Sequence, residues 1–410
     1  MNTLFKIYCR VYQGVMRVAT NFLNFREPEL LEGLDAVPKC LADKKLDSVL
    51  IVTDDFLHNK AKLIDGFKEG LEKAGIRYAV YDKVVPNPTI DNIEEGLVLY
   101  KENGCKAIIA VGGGSPMDCA KGIGARVARP NKAIPKLKGI LKVMKKLPPL
   151  FAVPTTSGTG SEATLAAVVS NPVTHEKYPI NDPVLIPKYA VLDPQLTVGL
   201  PPFITSTTGM DALTHAVEAY IGSSNTKKTA DMARKATILI FENLKKAYDD
   251  GTDIEARKNM QLAAFYAGIA FTRAYVGNVH AMAHTLGGFY GAPHGDANAI
   301  ILPYILDFYG EKSYAKLAEL ADLVGIKGET VNEKGKNFIE AVKGLNAYMK
   351  IPDNINEVKK VAEKGGIQDK DIPTMAARAF AEANPLYPVP IIMSKEDFVR
   401  MFYKIQKKEA

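Results

Sequence analysis

The residues able to do chemistry crowd into one stretch of this chain. Only six histidines occur in 410 residues, and four of them, His215, His280, His284 and His294, lie between positions 215 and 294. Asp211 precedes His215 by four residues in TGMDALTHAVEAY. Positions four apart stack on one helix face, so both side chains reach a single point. His280 and His284 repeat the spacing in NVHAMAHTLG, and His294 follows in a Pro-His-Gly turn. A carboxylate with several imidazoles is a donor set for a borderline divalent cation such as ferrous iron or zinc. A single helical Asp-x-x-x-His is usually an ordinary hydrogen-bonded pair; the joint occurrence points to a metalloenzyme.

Two kinds of sequence must position these groups. Up to about residue 200, short β-branched runs at 48–53, 77–81, 106–111, 150–153 and 189–192 alternate with helical patterns at 56–74, 90–102 and 116–127. Such alternation predicts a parallel sheet covered on both faces. After Pro201–Pro202 the pattern turns helical almost throughout, for example at 229–248 and 253–266. The expected fold is therefore an α/β, Rossmann-like N-terminal domain over 1–202 followed by an all-α domain over 203–410 that carries the metal cluster.

Composition narrows the function. With 47% apolar residues the chain can build real cores. No run approaches the ~20 apolar residues needed to span a bilayer. Four cysteines without CxxC spacing fit a reducing cytoplasm. The net charge of +6 is modest, and the lysines at 132–146 lack interleaved aromatics, so no nucleic-acid partner is expected. Residues 1–25 are no secretory signal, because Lys6, Arg10, Gln13 and Arg17 interrupt them. They read as a basic amphipathic helix packed on its own domain or on a sister subunit rather than on a membrane.

Two loops and an acid suit a nucleotide. The strand at 106–111 runs into Gly112-Gly113-Gly114-Ser115-Pro116-Met117-Asp118. The glycines free the turn and bare its amides, Ser115 is placed to cap, and Asp118 falls in the first helical turn. A helix starting there favours a phosphate over the glycines. Pro154-Thr155-Thr156-Ser157-Gly158-Thr159-Gly160-Ser161-Glu162 follows a second strand with five hydroxyls. Asp54, at the end of the strand 48–53, suits either a ribose diol or a helix N-cap.

GGGSPMDCAK, PTTSGTGSE, TGMDALTHAVEAY and NVHAMAH…PHG, in that order, resemble the iron-containing (group III) metal-dependent alcohol dehydrogenases over about 46–303. The resemblance implies hydride transfer between a primary alcohol/aldehyde pair and a nicotinamide cofactor, in a cleft between the two domains. It implies Asp211, His215, His280 and His294 as ligands of Fe2+ or Zn2+, leaving His284 near the nicotinamide, where an imidazole that titrates near neutrality is the candidate either to relay the proton or simply to orient the ring. Gly113, Gly114, Ser115 and Asp118 match the family's pyrophosphate loop, and Thr155, Thr156 and Thr159 its second nucleotide loop. Lys177 matches a lysine near the cofactor ribose, and Asp54 an acid that goes with NAD rather than NADP. A homodimer or higher homo-oligomer is implied as well. The extension to about Phe25 and Thr285, where many members have proline, are departures that leave the substrate open. Alternatives on the same scaffold are a zinc polyol (glycerol-type) dehydrogenase and a hydroxyacid–oxoacid transhydrogenase. A dehydroquinate-synthase-like lyase is disfavoured for want of a basic cluster, and a non-catalytic regulator by retention of every polar motif. Phe271, Tyr275 and Phe289 are the side chains expected to set pocket size.

Overall fold

The computed structural model describes residues 2–20, 22, 25–173 and 176–407. The chain forms two compact units, Asn24–Gly199 and Met1–Leu23 with Leu200–Ala410. Among the described residues the first unit holds nine short strands: β1 (Glu29–Glu32), β2 (Ser48–Val52), β3 (Arg77–Tyr81), β4 (Ala107–Gly112), β5 (Gly139–Ile140), β6 (Leu150–Pro154), β7 (Ala166–Asn171), β8 (Glu176–Asn181) and β9 (Tyr189–Leu192). Six make a parallel sheet in the order β1-β9-β6-β4-β2-β3. Every residue of β2, β4 and β6 is buried, as continuous apolar runs such as SVLIV and AIIAVG require when both faces are covered. Alternate residues feed two separate cores: Leu50, Ile108 and Ala152 enter one, Ile51, Ile109 and Val153 the other.

From β2 the chain steps outward to β3, then crosses to β4 on the opposite side of β2. This reversal is the switch point at which doubly wound sheets bind ligands, beyond the carboxyl ends of their strands. Asp54 follows β2 there, and the triple glycine follows β4. The sequence reading missed β1, which is short and lies at the sheet edge, and the three-stranded sheet β5-β8-β7. The helix expected over 56–74 is broken: Phe56–Lys60 is a π-helical turn, Lys62 has φ of +51°, and an α-helix resumes only at Asp65–Lys73.

The second unit is helical. Pro202–Ile221, Lys227–Asp249, Ile254–Ala274, Asn278–Tyr290 and His294–Tyr309 surround a core of small and aliphatic side chains that includes Met210, Leu213, Ala263, Met282 and Ile301. The N-terminal helix, Thr3–Thr20, belongs to this unit and not to the α/β part, where a boundary at 202 places it. Its inner side explains the placement. Phe5 stacks on Phe380 at 5.5 Å, Arg10 donates to the carbonyls of Val389 and Pro390 at 2.8 and 2.9 Å, and Gln13 donates to those of Pro385 and Tyr387. Among the described residues no helix is long and apolar enough to cross a membrane.

Candidate metal and nucleotide sites

Asp211 and His215 project from Pro202–Ile221, His280 from the first turn of Asn278–Tyr290, and His294 opens His294–Tyr309. Gly295 lets that last helix start close: a Cβ there would lie 2.5 Å from the Thr207 carbonyl oxygen. One donor atom from each of Asp211, His215, His280 and His294 then falls within 4.8 Å of every other. Asp211 Oδ1 lies 3.9 Å from His215 Nδ1, 3.8 Å from His280 Nε2 and 3.5 Å from His294 Nε2. Four donors about 2.1 Å from one tetrahedral ion stand roughly 3.4 Å apart, so the cluster needs only a small contraction to hold a cation. The site is closed in by rings: His215 is stacked between Phe271 at 4.1 Å and His280 at 4.4 Å.

Three polar residues that the sequence reading did not single out organise this cluster. Glu218 is buried, and its Oε2 accepts from Gly277 N and His280 Nδ1 at 2.8 and 2.6 Å while Oε1 accepts from Val279 N at 2.8 Å. Burial pushes its carboxyl up to about 8 against the pull of the Gly277, Val279 and His280 backbone amides, but with N–H groups aimed at both oxygens no place is left for a proton, and the side chain accepts as the carboxylate. Burial, reinforced by the neighbouring imidazoles, holds His280 well below its usual value, so its ring is neutral. With the proton on Nδ1 facing the carboxylate, the Nε2 lone pair is left for a metal. Asn298 Nδ2 stands 2.7 Å from Asp211 Oδ1, 3.2 Å from His280 Nε2 and 3.0 Å from His294 Nε2, so its two N–H groups are shared among three of the four cluster residues. Glu382 accepts from His284 Nδ1 at 2.6 Å and from the Tyr387 hydroxyl at 2.9 Å.

His284 lies outside the four-donor cluster, stacked on His294 with centroids 5.2 Å apart. Of the side chains expected to set pocket size, Phe271 covers His215, whereas Phe289 lies under the Arg378 guanidinium and Tyr275 ends the helix Ile254–Ala274.

In the α/β unit the two nucleotide-type loops meet. Gly112 has φ of +150°, and a Cβ there would lie 2.5 Å from Pro116 Cγ, so only glycine makes this turn. The helix starts earlier than expected, at Gly114, and its cap is Gly113 rather than Ser115. A glycine cap leaves the first amides uncovered; Ser115 Oγ instead accepts from Asn87 N at 3.1 Å. Cβ atoms on Gly113 and Gly114 would lie 3.4 and 3.3 Å from Thr156 Oγ1 and Thr159 Cγ2, so the loops are in contact. Thr155 N donates to the Gly112 carbonyl at 3.0 Å. Asp118, the first-turn acid of the matched pyrophosphate loop, turns inward: its oxygens accept from Ser161 Oγ and Val168 N, both at 3.1 Å. Buried Lys121 binds four oxygens, of Ser161 (two), Thr164 and Ala166, at 2.8–2.9 Å. Asp118 and Lys121 thus brace the second loop from behind. Lys177 Nζ donates to Asn87 Oδ1 at 2.6 Å, bringing β8 to the same edge. Asp54 Oδ1 accepts from Leu57 N at 2.9 Å, so one of its oxygens serves as a cap.

A helical unit built around an Asp-His cluster, with a doubly wound unit bearing glycine and threonine loops at its switch point, defines a metal- and nucleotide-dependent class of enzyme. Comparison with known proteins narrows the class. The family description "Iron-containing alcohol dehydrogenase" matches residues 32–194, and "Fe-containing alcohol dehydrogenase family, C-terminal" matches 205–406. The chain is 38% identical over 365 residues to 1,3-propanediol dehydrogenase of Klebsiella pneumoniae, covering 88% of this chain and 92% of that one. It is 36% identical over 368 residues to NAD-dependent methanol dehydrogenase of Bacillus methanolicus, covering 88% and 94%. A solved 1,3-propanediol oxidoreductase superposes with a TM-score of 0.87 at 34% identity, covering 93% of this chain and 99% of that one. The chain belongs to the iron-containing alcohol dehydrogenase family, and it is an oxidoreductase of alcohols and aldehydes.

Proposed function

We propose that this enzyme interconverts a primary alcohol and its aldehyde with NAD as the hydride carrier, using one divalent ion held by Asp211, His215, His280 and His294. The observation that carries the reading is the convergence of those four donors within 4.8 Å of one another. An ion bound there supplies Lewis acidity, so that an alcohol gives up its proton near neutral pH instead of near 16. Glu218 fixes the His280 ring, and Asn298 keeps Asp211 and the histidines convergent. The amides at Gly113 and Gly114 and the hydroxyls of Ser115, Thr155, Thr156 and Thr159 bind the pyrophosphate and ribose oxygens, with Asp118 and Lys121 shaping their loop and Lys177 near the ribose. Asp54 accepts from the adenosine ribose with the oxygen not used as a cap, which disfavours NADP. Glu382 orients His284, whose Nε2 exchanges the substrate proton. The protein is a cytoplasmic homo-oligomer. An alcohol and aldehyde panel assayed with NAD and NADP tests the reading: NADH formation from short primary alcohols supports it. Turnover confined to polyols, or to hydroxyacid–oxoacid exchange without free NAD, overturns it.

A further inference from the structure

The N-terminal helix Thr3–Thr20 buries one side and leaves the other bare. Inward, Phe5, Cys9, Arg10 and Gln13 fasten it to the helical unit. Outward, Leu4, Ile7, Tyr8, Val11, Val15 and Val18 are each between 53 and 71% exposed. Together they present on the order of 700 Å² of apolar surface, more than the largest patch of most monomers and close to the roughly 800 Å² that each partner brings to a standard interface.

We propose that this face binds the same face of a second copy, the two helices antiparallel across a two-fold axis. The inference deepens the homo-oligomer reading above by naming its surface. Leu4, Tyr8, Val11, Val15 and Val18 follow one another by steps of four, three, four and three, the seam of two packed helices. Read backwards the steps alternate in the same way, so an antiparallel copy meets a matching seam, as an isologous contact requires. With the axis between Val11 and Val15, Tyr8 meets Val18 and Val11 meets Val15, pairing the bulkiest residue with a small one. Gly14 borders the seam, and a Cβ there would touch nothing within 4 Å, so the backbones can approach closely. The cations stay clear of the seam: Lys6, Arg10 and Arg17 lie on the opposite flank of the helix. A membrane is the weaker occupant. A surface-lying helix needs free bases along its polar face, and here Arg10 is committed to the carbonyls of Val389 and Pro390.

The test measures molar mass by light scattering for the full chain, Val11→Glu and Val15→Lys, with alcohol oxidation and circular dichroism as folding controls. The proposal expects an oligomer for the full chain, half that mass for either variant at unchanged activity, and recovery of the mass when the two variants are mixed, because the new charges then face each other. Failure of the mixture to recover overturns the antiparallel pairing. Unchanged mass in the variants overturns the surface while leaving the oligomer standing; a monomeric full chain overturns both. Binding of the full chain to phosphatidylserine vesicles, lost in the variants while mass stays constant, assigns the face to a membrane and overturns the proposal.

Discussion

Replacing Glu218 by glutamine separates positioning of the metal site from mere packing. The carboxylate accepts on both oxygens, three bonds in all, from Gly277 N, Val279 N and His280 Nδ1. A carboxamide accepts on one. With its oxygen in the place of Oε2, the new NH2 points at the Val279 N–H, and one buried donor loses its acceptor at about 1–3 kcal/mol. The reverse orientation strands two donors, including His280 Nδ1, and is worse. In the better orientation the bond to His280 is still weakened, since a charge-assisted hydrogen bond is roughly twice as strong as a neutral one. The ring then turns more freely, and loss of such an outer partner costs about 10–100-fold in metal affinity. Gly277→Ala should produce the same defect by another route, since its Cβ would lie 2.7 Å from Glu218 Oε1. Chelator competition measures the affinity, and urea unfolding of the metal-stripped proteins measures the stability. Lowered stability with unchanged metal affinity in both variants would refute the positioning role, reducing Glu218 to a staple on the start of the helix Asn278–Tyr290.

Asn298→Asp replaces a donor by a second carboxylate beside Asp211, so the metal-stripped protein should lose about 1–3 kcal/mol and its melting temperature should rise more on adding Zn2+ than that of wild type; equal shifts would show that the added carboxylate does not act on an ion held by the cluster. Asp54→Gly should move kcat/KM toward NADP and lower stability through the lost cap on Leu57, whereas lost stability without a cofactor shift leaves Asp54 as a cap only. His284→Ala should retain one metal per chain and slow alcohol oxidation by roughly 10²-fold, the scale of a lost acid–base group, with Glu382→Gln slowing it less. Metal loss in His284→Ala would instead make His284 a ligand.

Much of this architecture is legible in the sequence where one physical rule dominates. Strands buried on both faces must be continuous apolar runs, and β2, β4, β6 and β9 stand out for that reason. The edge strand Glu29–Glu32 is only four residues long and begins and ends on exposed carboxylates, so no burial pattern marks it. Asp211 and His215 are visible because helix geometry links them locally. Glu218, one turn further along the same face, carried a usable signal, but its partners lie some sixty residues away. Asn298 has the same four-residue relation to His294 that Asp211 has to His215. Glu382 reaches His284 across 98 residues, and nothing local announces it. Asp118 is placed in the first helical turn by the sequence, yet a helix has several faces, and only tertiary packing directs this one toward Ser161 and Val168. The N-terminal helix shows the same limit. Chain order put it with the α/β part, while its contacts with Phe380, Pro385 and Val389 put it with the helical unit.

The central claim is that four side chains hold one ion on which alcohol oxidation depends. Elemental analysis of the purified wild type, His280→Ala and His294→Ala, read alongside NADH formation from a primary alcohol, tests it most directly. The account predicts one divalent ion per chain in wild type and little or none in either variant, with turnover lost in parallel. Full metal content in both variants, or undiminished turnover by metal-free wild type, would contradict it.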